Sequence, residues 1–108
     1  MKQTFGEYIR QLRTDNGLTL TQLAAQLDMD SANLSKVENG KREFDFKRLE
    51  KLATAFELDS KTLKEEFLSD QFARTLYETN SDTKVLQLAE EKVKYRTQKN
   101  TEQATLKF

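Results

Sequence analysis

The chain has 108 residues, 36% of them hydrophobic and 33% charged, with 18 Lys and Arg balanced by 18 Asp and Glu. It has no Cys, His or Pro, which excludes disulfides, a thiolate nucleophile, an imidazole base and an ordinary zinc site. Composition therefore favours a helical domain of modest core over an enzyme, and no cofactor or metal is expected.

In chain order, Thr4 and Glu7 have capping-box spacing, and Phe5, Ile9 and Leu12 recur at i, i+4 and i+7. The first helix is predicted from Phe5 to Asp15, stopped by Asn16-Gly17. Thr19 is the predicted cap of a second helix with Leu20, Leu23, Ala24 and Leu27 on one face. After the turn Asp28-Met29-Asp30, Asp30 caps a third helix over residues 31–38. Its apolar residues are Ala32, Leu34 and Val37, and Leu34 and Val37 share the inner face. Lys41-Arg42-Glu43-Phe44 reads as a basic connection. Asp45 then caps a fourth helix in which Phe46, Leu49, Leu52, Ala53 and Phe56 align. Ser60 is the predicted cap of a fifth helix carrying Leu63, Phe67 and Leu68 and continuing through Phe72, Leu76 and Tyr77. Ser81 is the predicted cap of a last helix with Val85, Leu88 or Ala89, and Val93. Periodicity is lost from about Gln98, so the tail at 99–108 is expected to be flexible. No window alternates in the manner of a strand, and the class is all-α.

Two short helices about a three-residue turn have helix-turn-helix spacing. The outward face of the third helix offers Ser31, Ala32, Asn33, Ser35 and Lys36, which are small or polar groups and one long cation. Charge distribution agrees with a polyanion partner there. Residues 36–51 carry six Lys or Arg against four acids, whereas residues 57–82 carry three against seven.

From about Thr4 to Leu68 the chain resembles the lambda-repressor-like, Cro/CI-type helix-turn-helix family. The matching pieces are GLT at 17–19, QLA at 22–24, LSKVENGKR at 34–42 and LEKLATAFEL at 49–58. The resemblance implies a five-helix DNA-binding domain over 1–68, followed here by a helical extension over 69–98. It implies base-edge contacts from Ser31, Ala32 and Lys36, with Asn33 and Ser35 as near neighbours. It implies phosphate contacts from Thr19, Thr21, Asn39, Gly40, Lys41 and Arg42, and a structural pair of Arg13 with Glu38. Two positions depart from the family pattern: Leu20 replaces a glutamine that touches the DNA backbone, and Asp28 replaces a turn glycine.

Such domains bind double-stranded DNA as two-fold dimers, so a homodimer on a two-fold operator is expected. Phe56, Leu58, Leu63, Phe67, Phe72 and Leu76 are the candidate dimer interface. Size and the lack of a sensor domain resemble restriction–modification controller proteins, implying an autoregulatory transcriptional regulator. The competing reading is an antitoxin-like or adaptor module that binds another protein through residues 69–98. No small-molecule ligand is evident. The N-terminal MKQTFGEYIRQL has no apolar centre and no run spans a bilayer, so no membrane partner and a cytoplasmic location are expected.

Overall fold

The computed structural model describes residues 3–106, with side chains through position 101. Those residues form six α-helices: α1 (Phe5–Asp15), α2 (Leu20–Gln26), α3 (Ser31–Glu38), α4 (Leu49–Phe56), α5 (Ser60–Glu78) and α6 (Lys84–Leu106). A 3-10 turn, Phe46–Arg48, leads into α4.

Caps set the helix starts. The Thr4 hydroxyl oxygen accepts from the Glu7 amide and the Glu7 carboxylate from the Thr4 amide, a reciprocal box. Thr19 and Gln22 repeat the device at α2. Asp30 caps α3 through the Ala32 amide at 3.0 Å, and Asp45 caps the 3-10 turn through the Lys47 amide. At α5 and α6 the caps differ from expectation by one residue. Asp59, not Ser60, accepts from the Thr62 amide, and Asp82, not Ser81, accepts from the Lys84 amide. A carboxylate is a stronger acceptor than a hydroxyl. The displaced serines bond elsewhere, Ser60 to Glu50 and Ser81 to Thr79.

The first five helices end alike. A left-handed residue (Gly17, Asp28, Gly40, Glu57 or Asn80) follows the last turn. The next amide then reaches back to a carbonyl five residues earlier: Leu18 to Arg13, Met29 to Ala24, Lys41 to Lys36, Leu58 to Ala53 and Ser81 to Leu76. This closure satisfies carbonyls that a helix end leaves orphaned.

The chain divides into two compact units, Met1–Phe72 and Ala73–Phe108, with the division inside α5. In the first unit Ile9, Leu23, Leu27, Leu34 and Leu52 are fully buried. Around them pack Phe5, Val37, Phe44, Leu49, Ala53, Leu63 and Phe67. Phe5 is an aromatic hub, with ring centroids 5.8 Å from Phe44 and 5.3 Å, edge-on, from Phe67.

Three expectations are corrected here. Phe44, read as the end of a basic connection, is a core residue, 5% exposed. Phe46, expected among the buried face of the fourth helix, is 48% exposed, with the Lys64 ammonium over its ring. The 3-10 turn rotates it off that face, with its ring centroid 5.9 Å from that of Phe67. Leu63 and Phe67, expected to meet a partner subunit, are buried in the protomer's own core because the start of α5 closes over Phe5.

In the second unit, α6 runs to Leu106, past the end expected near Gln98. The segment 98–106 has no proline or glycine and includes Gln, Glu and Ala, so loss of apolar periodicity does not break the helix. Lys107 and Phe108 of the expected flexible tail lie outside the described residues. No described side chain of α6 is buried: Val85, Leu86 and Leu88 stand at least 44% exposed, and Val93 and Tyr95 more so. Among the described residues no helix is long and apolar enough to cross a membrane.

Candidate nucleic-acid interface

α2 and α3 form the bihelical motif, and α3 is the element whose outer face is open. Leu34 and Val37 fix its inner face to the core, and Glu38 joins them, only 6% exposed. At 100° per residue this leaves Ala32 and Lys36 at the centre of the outer face. Ser31 and Ser35 lie at one margin and Asn33 at the other. Ala32 and Lys36 are exposed, whereas Ser31, Asn33 and Ser35 are half-buried.

Three contacts hold α3 in this attitude. Arg13, in the last turn of α1, donates from Nε and Nη2 to the two Glu38 carboxylate oxygens at 2.8 and 2.9 Å. Its Nη1 donates to the Leu18 carbonyl at 3.1 Å, so one guanidinium joins α1, the turn before α2 and the end of α3. Hydrogen bonding to Glu38 raises the Arg13 pKa above its ordinary value, against the opposing effect of burial. At Gly6 the backbones of α1 and α3 approach so closely that a Cβ would lie 2.2 Å from the Val37 carbonyl oxygen. At the far side, Arg48 donates to the Leu27 and Asp28 carbonyls at 3.2 and 3.0 Å and to Asp45 at 2.8 Å. Arg48 thereby fixes the end of α2 and the turn into α3. Lys51 adds an ion pair to Asp28 at 3.3 Å.

This division of labour shapes the electrostatics. Of the six cations at 36–51, Arg48 and Lys51 serve the scaffold. Lys36, Lys41 and Lys47 are exposed and in no ion pair among the described residues. The acids of the same stretch are largely engaged: Glu38 by Arg13, Asp45 by Arg48, and Glu50 by the Ser60 hydroxyl. Residues 36–51 thus carry two more cations than acids although the whole chain is neutral.

The other residues expected to touch phosphate fall around this helix. Thr19 accepts from the Gln22 amide through its hydroxyl oxygen, which leaves the O–H to donate, and Thr21 is exposed beside it. Gly40 has φ +74° and supports the turn that exposes Lys41 and Arg42. The Asn39 side chain is drawn inward to the Ser35 carbonyl at 2.9 Å. Arg42 Nη1 donates to Asn33 Oδ1 at 3.2 Å.

Sequence reasoning missed Gly6, Phe44 and Arg48. A glycine inside a helical pattern was the available signal for Gly6, and Asp45 and Arg48 have i, i+3 spacing. The backbone carbonyls that Arg48 grips leave no trace in the sequence. Phe56 and Leu58 pack half-buried against the core, Leu76 is half-buried, and Phe72 is exposed.

Comparison with known proteins agrees with this architecture. Residues 4–67 match the model of a helix-turn-helix domain family. Over 40 residues the chain is 45% identical to the HTH-type transcriptional repressor RghR of Bacillus subtilis, covering 37% of this chain and 30% of that relative. The shared part is thus under a third of RghR's own length. Among solved structures, the restriction-modification controller protein C.AhdI from Aeromonas hydrophila is similar with 36% identity and a TM-score of 0.50. That similarity covers 55% of this chain and 89% of C.AhdI. The clp gene regulator ClgR from Corynebacterium glutamicum shares the fold, with 24% identity and a TM-score of 0.51, covering 79% of this chain and 88% of ClgR. With more than half of its length matched, the chain belongs to the Cro/CI-like helix-turn-helix domain family.

Proposed function

We propose that this chain is a sequence-specific DNA-binding transcriptional regulator that reads the major groove with α3. The observation that carries the reading is the open face of α3, centred on Ala32 and Lys36, with Lys36, Lys41 and Lys47 exposed and in no ion pair among the described residues. Lys36 donates to guanine O6 and N7, and Ala32 packs on a thymine methyl. Ser31, Asn33 and Ser35 line the margins of that contact. Thr19, Thr21, Lys41, Arg42 and the Asn39-Gly40 backbone anchor phosphates.

The similarity to C.AhdI supports a narrower role, an autoregulator of a restriction–modification operon acting in the cytoplasm. One short helix reads too few base pairs, so a homodimer on a two-fold operator follows. Leu63 and Phe67 already fill the protomer core, which leaves Phe56, Leu58 and Phe72 of the first unit as candidates for the dimer contact and, taken separately, Leu76 and the exposed apolar residues of α6 in the second. The same exposed α6 residues favour a second reading, in which residues 69–98 dock on another protein.

Enrichment of duplexes from a randomised pool by the full chain tests DNA reading. Recovery of a two-fold consensus supports a regulator, and recovery of no consensus contradicts it. Sedimentation without DNA separates the two uses of α6: a dimer supports self-association, and a monomer that gains mass only with a partner protein supports docking.

A further inference from the structure

Asn33 and Arg42 meet at the margin of α3, where Arg42 Nη1 donates to Asn33 Oδ1 at 3.2 Å. A guanidinium has only donors, so the group of Asn33 that faces it is the carbonyl oxygen and not the amine. The Nδ2 amine makes no hydrogen bond among the described residues. Both side chains line one crevice together with Asp30, Glu43 and Asp45. Those carboxylates have partners of their own: Asp30 takes the Ala32 amide, Glu43 the Gln71 amide group, and Asp45 Arg48. Among the described residues Arg42 is bonded to the neutral amide on the reading helix and to no carboxylate.

We propose that Arg42 is a positioning residue for base reading: its bond to the Asn33 oxygen fixes the side-chain amide, so that Asn33 turns its free N–H donors to the base edge it meets. This inference rests on the DNA-binding reading above. An unrestrained asparagine offers its oxygen and amine together and matches adenine N6 and N7 in a bidentate pair. With one lone pair of the oxygen engaged by Arg42 and the amide plane held by that bond, the bidentate pair with adenine is weakened, and the free amine favours acceptor edges, guanine O6 or N7 and thymine O4. The cytosine amino group is disfavoured there because it meets a second donor. The remaining N–H groups of Arg42 stay available for phosphate, so one side chain couples the backbone contact to the base contact.

The test uses the full chain and the duplex it enriches from a randomised pool, together with every single-base-pair replacement of that duplex. Wild type, Asn33→Ala, Arg42→Lys, Asn33→Asp and the double variant Asn33→Ala/Arg42→Lys are titrated by fluorescence anisotropy. Arg42→Lys keeps the cation for phosphate but lacks the planar fork. Asn33→Ala is expected to lower discrimination at one base pair about fivefold to tenfold. Arg42→Lys should lower it at that same base pair, and the double variant should lower it no further. Asn33→Asp, which keeps an acceptor for Arg42 and removes the donors, should lose the preference without a lower melting temperature. The inference is overturned by an Arg42→Lys protein that binds every duplex more weakly by one common factor and keeps the preference at the Asn33 base pair. It is equally overturned if Asn33→Ala changes no preference. Failure of the wild type to enrich any duplex would instead remove the DNA-binding reading, and this inference with it.

Discussion

Arg13 and Glu38 form a two-point ion pair that ties the end of α1 to the end of α3, with the Glu38 side chain only 4% exposed. Removing the cation leaves a buried carboxylate without a counter-charge, and a broken buried pair is far more costly than an absent one. Arg13→Ala is expected to lower unfolding free energy by about 3 kcal/mol, measured by urea denaturation. The double variant Arg13→Met/Glu38→Met should recover much of the loss. An Arg13→Ala protein with unchanged stability but altered duplex preference would contradict a scaffold role for the pair.

Gly6 determines how near α3 can come to α1. A Cβ placed there would meet the Val37 carbonyl oxygen at 2.2 Å and the Glu38 Cα at 3.3 Å. Both are backbone atoms and cannot rotate aside. Gly6→Ala improves local helix propensity, yet it forces α3 outward, and overpacking of this kind costs about 1–3 kcal/mol. The expected result is a lower melting temperature and weaker duplex binding together. A gain in stability would show that α3 is free to shift.

Glu57 ends α4 with φ +52°, a conformation that penalises a side chain bearing Cβ. Glycine removes that penalty and gives back part of the gain through unfolded-state entropy. Glu57→Gly is expected to stabilise the protein by about 0.5–1 kcal/mol while leaving the melting transition cooperative. Calorimetry checks the sign, and destabilisation would mean that the Glu57 side chain has a contact worth more than its backbone strain.

Lys36 lies at the centre of the outer face of α3, exposed and outside any ion pair among the described residues. Loss of a base contact weakens specific binding, whereas loss of a phosphate contact weakens all binding alike. Lys36→Ala is expected to cost about 1–3 kcal/mol on the preferred duplex and distinctly less on an unrelated one. Equal losses on both would reassign Lys36 to the phosphates.

Much of this was legible in the sequence, for physical reasons that differ from element to element. The bounds of α1 and α3 follow from caps and stops that lie next to one another in the chain: Thr4 with Glu7, Asn16 with Gly17, Asp30, and Asn39 with Gly40. Asp28 stands where the family pattern has a turn glycine, and it takes φ +54°. Phe44 was hidden because charged residues flank it and no periodic partner precedes it. Leu63 and Phe67 announced an apolar face, but an apolar stripe does not say whether the same chain or another covers it. The caps at Asp59 and Asp82 were ambiguous because each stands beside a serine of suitable type. Arg48 on the Leu27 carbonyl and Arg42 on Asn33 span 21 and 9 residues, and no local rule connects such positions.

The most direct test of DNA reading is a fluorescence-anisotropy titration of the full chain on duplex from upstream of its own gene. A shuffled duplex of the same composition is titrated in parallel, at several salt concentrations. Tighter binding to the upstream duplex, steep in protein concentration and falling as salt rises, is the predicted result for a dimeric autoregulator whose cations displace phosphate counterions. Equal, weak binding to both duplexes at every salt concentration would contradict it.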